Sequence, residues 1–348
     1  MKEELIQYII CPICGRRFIL KIIKKNNKEI LKGTLICVSK HKFGIKNGIP
    51  RLVVDKTINF VKTEDAFSSK WKNFNKTYHS RKWYNHQRKW FLERFGWRTI
   101  INFNKFLKTR KYILDAGTGV GNSAKLFSKN SKAHVFAVDA SESIEFAYKK
   151  YGKTQNIHFL QADIRKLPFS KRFFDFICSD QVLHHTKDTR SSFKMLTKLL
   201  SKNGLISIYV YRKKGLMREF ADDFIRKHTV KMTEKKCMEF SKNMAELGKN
   251  LSKLKKKITI SKDIPILQIK SGTYDVQRFL YWNFLKCWWS EEVPFEQSVA
   301  TNFDWYFPKY AYRHTEDEVR KWFQDSKLKI THFNAIESGF SINGKKLR

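Results

Sequence analysis

The stretch ILDAGTGVGNSAKLF, residues 113–127, decides the fold of this chain. It joins an apolar run ending in Asp115 to a helical sequence through the glycines Gly117, Gly119 and Gly121. Glycine at such a junction lets backbone N–H groups and the helix N-terminus approach a ligand closely. Dinucleotide-binding loops have the spacing G-x-G-x-x-G and place a pyrophosphate there. Here the third glycine comes one residue early and no Lys or Arg lies within the loop, so the acid favours a ligand with a cationic end.

Alternating strand and helix segments surround this loop. Strands are expected at 112–116, 134–140, 157–163, 174–180 and 204–211, with helical sequence between most of them. This alternation requires right-handed crossovers and a parallel sheet that helices cover on both faces. We therefore predict an α/β fold with a doubly wound, Rossmann-like sheet. Towards the end, a capping box at Thr315 opens a further helix, and two last strands are expected at 328–336 and 339–345.

Two further acids close the second and third of these strands. They are Asp139 in AVDAS and Asp163 in QADI, and an open parallel sheet binds its ligands at such strand ends. Asp139 is placed to accept hydrogen bonds from both hydroxyls of a ribose. Asp163 is placed to accept one from an amino group while the Ile164 N–H donates to a ring acceptor. The alternative is that these acids only cap helices. Ribose, adenine and a cationic tail together describe S-adenosylmethionine.

The order of these motifs resembles that of a known family, the class I S-adenosylmethionine-dependent methyltransferases. The segments DAGTGVG, AVDAS, QADI and FDFICSDQVLHHTKD match the family pattern in order and spacing over about residues 110–211. More narrowly, the chain resembles a bacterial and archaeal subgroup with a zinc-ribbon-like N-terminus. The family resemblance implies that S-adenosylmethionine is held by Asp115, Gly117, Thr118, Gly119, Gly121, Asp139, Ala140, Asp163, Ile164, Ser179 and Gln181.

The first 55 residues predict a small β-rich module with a metal site. CPIC at 11–14 and CVSKH at 37–41 place two pairs of soft ligands on two turns. Such spacing is typical of a closed, tetrahedral structural zinc site, here Cys11, Cys14, Cys37 and His41. The alternative is a set of reduced thiols in an ordinary hairpin unit. A thioredoxin-like redox role is disfavoured because no βαβ unit follows the C-x-x-C.

The remaining segments frame the expected active site. Residues 56–108 are helical and aromatic and are predicted to act as a lid, and residues 109–211 form the methyltransferase core. Residues 212–312 are predicted as a helical insert over the active site, and 313–348 complete the core. For most of the insert's aromatic residues, the alternative is a helical cap with its own aromatic core. His184 and His185, after the fourth strand, are the candidate general bases, because imidazole titrates near neutral pH. The alternative is that they only shape the pocket.

Charge and composition limit the function. An aromatic content of 15% excludes a disordered chain, and the net charge is +38. Because lysines occur in every segment, we expect a solvated surface rather than a dedicated nucleic-acid face. No apolar run approaches the ~20 residues of a membrane span, and we expect a cytoplasmic enzyme. The oligomeric state is not predicted.

The predicted function is methyl transfer from S-adenosylmethionine to an oxygen or nitrogen of a small-molecule or glycan-linked metabolite. An alternative is methylation of rRNA or tRNA, since the cysteine and histidine pattern also resembles that of enzymes that methylate a guanine of ribosomal RNA. A second alternative is a non-catalytic binding module of the same fold.

Overall fold

The computed structural model of the chain describes residues 1–27, 29–54, 65–70, 72–74, 78, 80–129 and 131–347. Part of the predicted lid 56–108, namely residues 56–64, 71, 75–77 and 79, lies outside the described residues. The strands are β1 Phe18–Asn26, β2 Glu29–Cys37, β3 Lys42–Lys46, β4 Ile49–Pro50, β5 Tyr112–Ala116, β6 His134–Asp139, β7 Ile157–Gln161, β8 Phe174–Asp180, β9 Leu200–Tyr211, β10 Lys257–Ile260, β11 Gly272–Asp275, β12 Leu328–Ala335 and β13 Gly339–Lys346.

Helices account for most of the remaining described chain. Helical residues at 65–70 and 72–74 precede the first complete helix. The helices are α1 Arg81–Arg94, α2 Ile100–Lys108, α3 Asn122–Lys129, α4 Ser143–Tyr151, α5 Thr189–Leu199, α6 Leu216–Thr229, α7 Glu234–Lys253, α8 Val276–Asn283, α9 Phe295–Tyr306 and α10 Glu316–Asp325. The capping box at Thr315 is present and opens α10. No helix within the described ranges is both long and apolar enough to cross a bilayer.

A seven-stranded sheet in the order β12-β13-β9-β8-β5-β6-β7 forms the centre of the fold. Strands β5 to β9 run parallel, as predicted, but β13 pairs with β9 and β12 with β13 in the antiparallel sense. The sheet as a whole is therefore mixed, because the two last strands, whose direction was not predicted, extend its parallel part in the antiparallel sense. The reason is the short link at 336–338, because parallel neighbours need a crossover of a dozen or more residues.

Both faces of this sheet are covered, which confirms the Rossmann-like prediction. Along β5, Ile113 packs into one apolar cluster with α2, α3 and α4, whereas Leu114 packs into another with α5, α10 and the N-terminal module. Successive side chains of a strand point to opposite faces, so a strand buried on both sides must be apolar throughout. This is why the apolar runs located the strands.

The N-terminal module is a four-stranded antiparallel sheet in the order β1-β2-β3-β4. Asn47 and Gly48, both with positive φ, form the two-residue turn between β3 and β4. The chain then continues along the edge of the central sheet, where Leu52 N–H donates to the Gln161 carbonyl at 2.7 Å. The module thus covers the edge strand β7.

The segment 212–312 contains α6 to α9 and also the hairpin β10–β11, which the prediction of a purely helical insert did not include. Its helices share an aromatic cluster of their own. The cluster includes Tyr281, Phe303, Trp305 and Tyr306.

Candidate functional site

A cavity of about 550 Å³ lies at the carboxyl ends of β5, β6 and β8, within the size range of small-molecule sites. Its walls come from three parts of the chain: the strand-end loops, the aromatic segment before β5, and the segment after β9. The residues that line its sheet side include Gly117, Thr118, Gly119, Asp139, Ala140, Asp163, Ile164, Asp180, Gln181 and His185. Those on the opposite side include Phe67, Lys70, Trp83, Trp90, Tyr281, Trp282, Lys286, Trp288, Gln297 and Asp304.

The glycine loop forms the floor of this cavity. Gly117 has φ +90°, and a Cβ there would lie 2.3 Å from Cγ2 of Val182. Only glycine fits, because the backbone is in the left-handed region and passes directly against the loop after β8. The Gly119 N–H donates to the Asp139 carboxylate at 2.8 Å, so the loop and the end of β6 are fixed to each other.

Asp115 lies beneath the loop. It is not among the described residues that line the cavity. Its carboxylate accepts a hydrogen bond of 2.6 Å from the Thr118 hydroxyl. Burial raises the pKa of Asp115 to about 7, and the nearby Asp180 and Asp139 carboxylates add to the rise. A cation bound above the loop would therefore favour the ionised form of Asp115.

Asp139 is held by three hydrogen bonds. One oxygen accepts from the Ser141 N–H at 2.9 Å and the Ser141 hydroxyl at 2.6 Å, and the other accepts from Gly119. A carboxylate has about four acceptor positions. At least one position is therefore left for a ribose hydroxyl without rearrangement of these contacts.

Asp163 caps the short 3₁₀ helix Ile164–Lys166 and is paired with Arg165. Its carboxylate accepts from the Arg165 backbone N–H at 2.8 Å and from the guanidinium at 2.5 to 3.1 Å. The contact with the Arg165 backbone N–H is therefore the helix cap that was the alternative interpretation of Asp163. An adenine amino group would have to displace the Arg165 side chain, which also lines the cavity.

The other predicted cofactor contacts divide into two groups. Ala140, Ile164 and Gln181 line the cavity, and Gln181 has the unusual φ of +62°. Ser179 is buried and donates to the Ala116 carbonyl at 3.0 Å. Gly121 faces α4, where a Cβ would lie 3.0 Å from that of Ala147. These last two support the loop from outside the cavity.

The two candidate bases differ in their access to the cavity. His185 lines the cavity, and its Nδ1–H donates to the Tyr310 carbonyl at 2.7 Å, which leaves Nε2 as the ring's basic nitrogen. Burial lowers the pKa of His185 to about 4. His184 lies behind it, fully buried, with its ring stacked 3.7 Å from that of Tyr211. Burial also lowers the pKa of His184 well below its usual value.

Three charged groups on the cavity wall were not found from the sequence, namely the buried Lys70 and Lys286 and the partly buried Asp304. Lys70 pairs with Asp304 at 2.9 Å, and Lys286 donates to the Tyr281 hydroxyl at 3.1 Å. Burial lowers the pKa of Lys286 to about 7. The available signal was a lone lysine inside the aromatic run YWNFLKCWW, because a lysine among aromatic residues is not part of a solvated face.

The predicted zinc ligands meet at one point of the N-terminal module. Cys11, Cys14, Cys37 and His41 offer ligand atoms that all lie within 4.8 Å of one another. The Cys14 and Cys37 sulfurs are 3.5 Å apart, and His41 Nδ1 is 3.3 Å from the Cys37 sulfur. Tetrahedral zinc with ~2.3 Å bonds to sulfur requires sulfur atoms roughly 3.8 Å apart. The donor set therefore fits a structural zinc ion.

Comparison with known proteins agrees with this geometry. Residues 114–208 match the family model described as a methyltransferase domain. Malonyl-[acyl-carrier protein] O-methyltransferase of Legionella pneumophila is 32% identical over 96 residues, 27% of this chain and 34% of the relative. Ubiquinone/menaquinone biosynthesis C-methyltransferase UbiE of Vibrio cholerae is 27% identical over 107 residues, 29% of this chain and 41% of the relative.

Among the solved structures to which the chain is similar is magnesium protoporphyrin IX methyltransferase of Synechocystis PCC 6803 with bound S-adenosylmethionine. It is 12% identical, has a TM-score of 0.44, and aligns over 84% of this chain and all of that one. The chain spans about a third of the length of the Legionella relative and about two-fifths of the length of the Vibrio relative. The family match, the mixed sheet and the glycine loop together show that the chain contains a class I S-adenosylmethionine-dependent methyltransferase domain.

Proposed function

We propose that the protein transfers the methyl group of S-adenosylmethionine to an oxygen or nitrogen of a small-molecule or glycan-linked metabolite. The observation that supports this most is the cavity itself, which joins the glycine loop to a wall of aromatic side chains. Such a wall suits a small, partly apolar acceptor, because rings and sugar faces pack against aromatic side chains. The Legionella relative is named as an O-methyltransferase, which supports an oxygen acceptor.

In this proposal the predicted cofactor residues bind different parts of S-adenosylmethionine. Gly117 and Gly119 bring the backbone close to the methionine end, Asp139 accepts from the ribose, and Asp163 with Ile164 meets the adenine. Asp115 acts through the loop, as a buried negative charge beneath the cationic end. When bound, S-adenosylmethionine supplies a methyl group already activated on a sulfonium sulfur.

The enzyme's own task is alignment, together with removal of one proton. The new bond joins the methyl carbon to the acceptor oxygen or nitrogen, and the carbon–sulfur bond breaks with its electron pair left on sulfur. Where the acceptor is a hydroxyl, its proton needs a base. His185 offers a neutral Nε2, and Lys286 is half neutral near pH 7.

The pH dependence of the rate separates these two bases. If His185 accepts the proton, the rate is flat above about pH 5, and His185→Gln lowers it at every pH whereas the matched variant His184→Gln lowers it less. If Lys286 accepts it, the rate rises through about pH 7, and Lys286→Met abolishes that rise.

Within the same proposal, the described part of the segment 56–108 closes the cavity, the segment 212–312 sets substrate specificity, and the protein works in the cytoplasm. The cysteine and histidine cluster holds a structural zinc ion and takes no part in methyl transfer. A closed shell of four protein ligands leaves no position for a substrate.

RNA is the second candidate acceptor, because of the net charge of +38. A test is to incubate the protein with methyl-labelled S-adenosylmethionine and a fractionated lysate. The proposal predicts label in the small-molecule or glycan fraction. Label confined to RNA, with binding that weakens steeply as salt rises, would contradict it. Tight binding of S-adenosylmethionine without transfer to any fraction would instead indicate the non-catalytic module.

A further inference from the structure

Helix α6 has its polar and apolar faces reversed. A helix on the surface of a protein normally buries its apolar stripe and exposes its charges. Here Arg218, Asp222 and Arg226 are buried, and Arg218 is only 1% exposed. On the opposite side, Phe220 is 65% exposed and Phe224 is 55% exposed.

The buried contacts fix this orientation. Arg218 pairs with Asp222 at 2.9 Å and donates to the Tyr281 carbonyl. Arg226 donates to the Pro308 carbonyl at 2.7 Å and to the Trp305 carbonyl. Turning the helix to bury its phenylalanines would expose these contacts and leave carbonyls in α8, in α9 and just after α9 without their donors. The apolar face therefore stays outside.

A neighbouring turn enlarges this face. The short segment Pro265–Leu267 packs against the start of α6, where a Cβ on Gly215 would lie 2.3 Å from the Leu267 carbonyl oxygen. Ile266 within this segment and Ile264 just before it are both exposed. We call the whole surface the α6 patch, made of Leu216, Met217, Phe220, Phe224, Ile264 and Ile266. At roughly 100 Å² for each side chain, it reaches the few hundred Å² that mark interaction sites.

The charges around the α6 patch are mainly positive. Two acids of the helix, the half-buried Glu219 and the exposed Asp223, both accept hydrogen bonds from Arg313. Asp263 pairs with Lys270 at 2.7 Å. The exposed lysines nearby in the chain are Lys213, Lys227, Lys231 and Lys262.

We propose that the α6 patch docks on the surface of an anionic lipid bilayer. Such a surface offers apolar depth for the phenylalanines and negative headgroups for the lysines. A second copy of the chain would bring two charges of +38 together, which opposes self-association. A nucleic acid would match the lysines but leave the phenylalanines uncovered. This docking goes beyond the proposed methyl transfer and does not depend on it.

The test is sedimentation of the full-length protein with large vesicles of phosphatidylglycerol and phosphatidylcholine, and with vesicles of phosphatidylcholine alone. We expect binding to the anionic vesicles and much weaker binding to the neutral ones. The double variant F220S/F224S should bind at least about tenfold more weakly. The matched control I19S/I101S removes two exposed isoleucines elsewhere and should bind like the wild type. Circular dichroism checks that both variants are folded.

Three results would overturn the proposal. One is the absence of binding to anionic vesicles. Another is equal binding by F220S/F224S and the wild type, which would indicate general adsorption through lysines. The third is a dimer by light scattering that F220S/F224S abolishes, which would identify a second copy as the occupant. Binding of S-adenosylmethionine by the same samples is measured separately, so a failure of the proposed function is recognised as such.

Discussion

Replacing Asp115 by asparagine should make the protein's stability less dependent on pH. In the folded chain burial raises the pKa of this carboxyl to about 7, against 3.8 as the ordinary value. Between these two values the folded state binds more protons than the unfolded state, so stability falls as pH rises. A shift of about 3 units at ~1.36 kcal/mol each corresponds to about 4 kcal/mol at high pH. Asparagine cannot ionise, so it removes this loss of stability at high pH, and its amide oxygen can still accept from the Thr118 hydroxyl.

The assay is urea unfolding of wild type and Asp115→Asn at pH 5 and pH 8, without S-adenosylmethionine. About 2.5 kcal/mol of the effect lies between these two pH values, so the advantage of the variant should grow by that amount. A buried amide that lacks a partner costs about 1 to 3 kcal/mol, but this cost does not change with pH and cancels in the comparison.

Asp188→Asn is the matched control. Asp188 caps α5 and accepts from the Ser191 N–H, which lowers its pKa. This carboxyl is therefore ionised in both states at pH 5 and pH 8, and its variant should show the same stability difference from wild type at both. If Asp115→Asn behaves in the same way, Asp115 is not held in a raised-pKa state and the account of the loop's electrostatics is wrong.

Three further predictions concern the cofactor loop, the metal and the adenine side. Gly117→Ala should weaken S-adenosylmethionine binding at least about tenfold in calorimetry, because the new Cβ meets Val182 and the backbone is left-handed; wild-type affinity would refute the close approach. The purified protein should contain about one zinc per chain by mass spectrometry. The variant Cys14→Ser should lose the metal, and its N-terminal module should unfold before the rest of the chain. A zinc-free protein with an intact module would indicate that the cysteines are reduced thiols without a metal. Arg165→Ala should keep or tighten S-adenosylmethionine binding, because the Arg165 guanidinium occupies the Asp163 carboxylate. Asp163→Asn should weaken this binding. An equal loss of affinity in both variants would mean that Arg165 itself contacts the ligand.

Local sequence patterns predicted much of the central fold. Strands buried on both faces must be apolar, so β5 to β9 are visible as runs in the sequence, and the capping box at Thr315 is a local signal that the structure retains. The direction of β12 and β13 could not be read from periodicity alone. It follows from the short link between them, whereas the spacing of apolar residues within each strand carries no information on strand pairing.

The contents of the cavity wall were harder to predict. Asp139 and Asp163 stand where strand ends meet, which a parallel sheet guarantees. Lys70 and Lys286 reach the cavity through packing between distant segments, and the reversed faces of α6 depend on carbonyls more than 60 residues away in the chain. Interactions of this kind leave no periodic signal in the sequence.

The most direct test of the central claim is a calorimetric titration of S-adenosylmethionine into the wild-type protein and Asp139→Asn. We expect one molecule bound per chain in the wild type and at least about tenfold weaker binding in the variant, which retains the fold but loses the charged acceptor at the end of β6. Absence of binding to the wild type, or equal affinity in both proteins, would contradict the assignment of this cavity to S-adenosylmethionine.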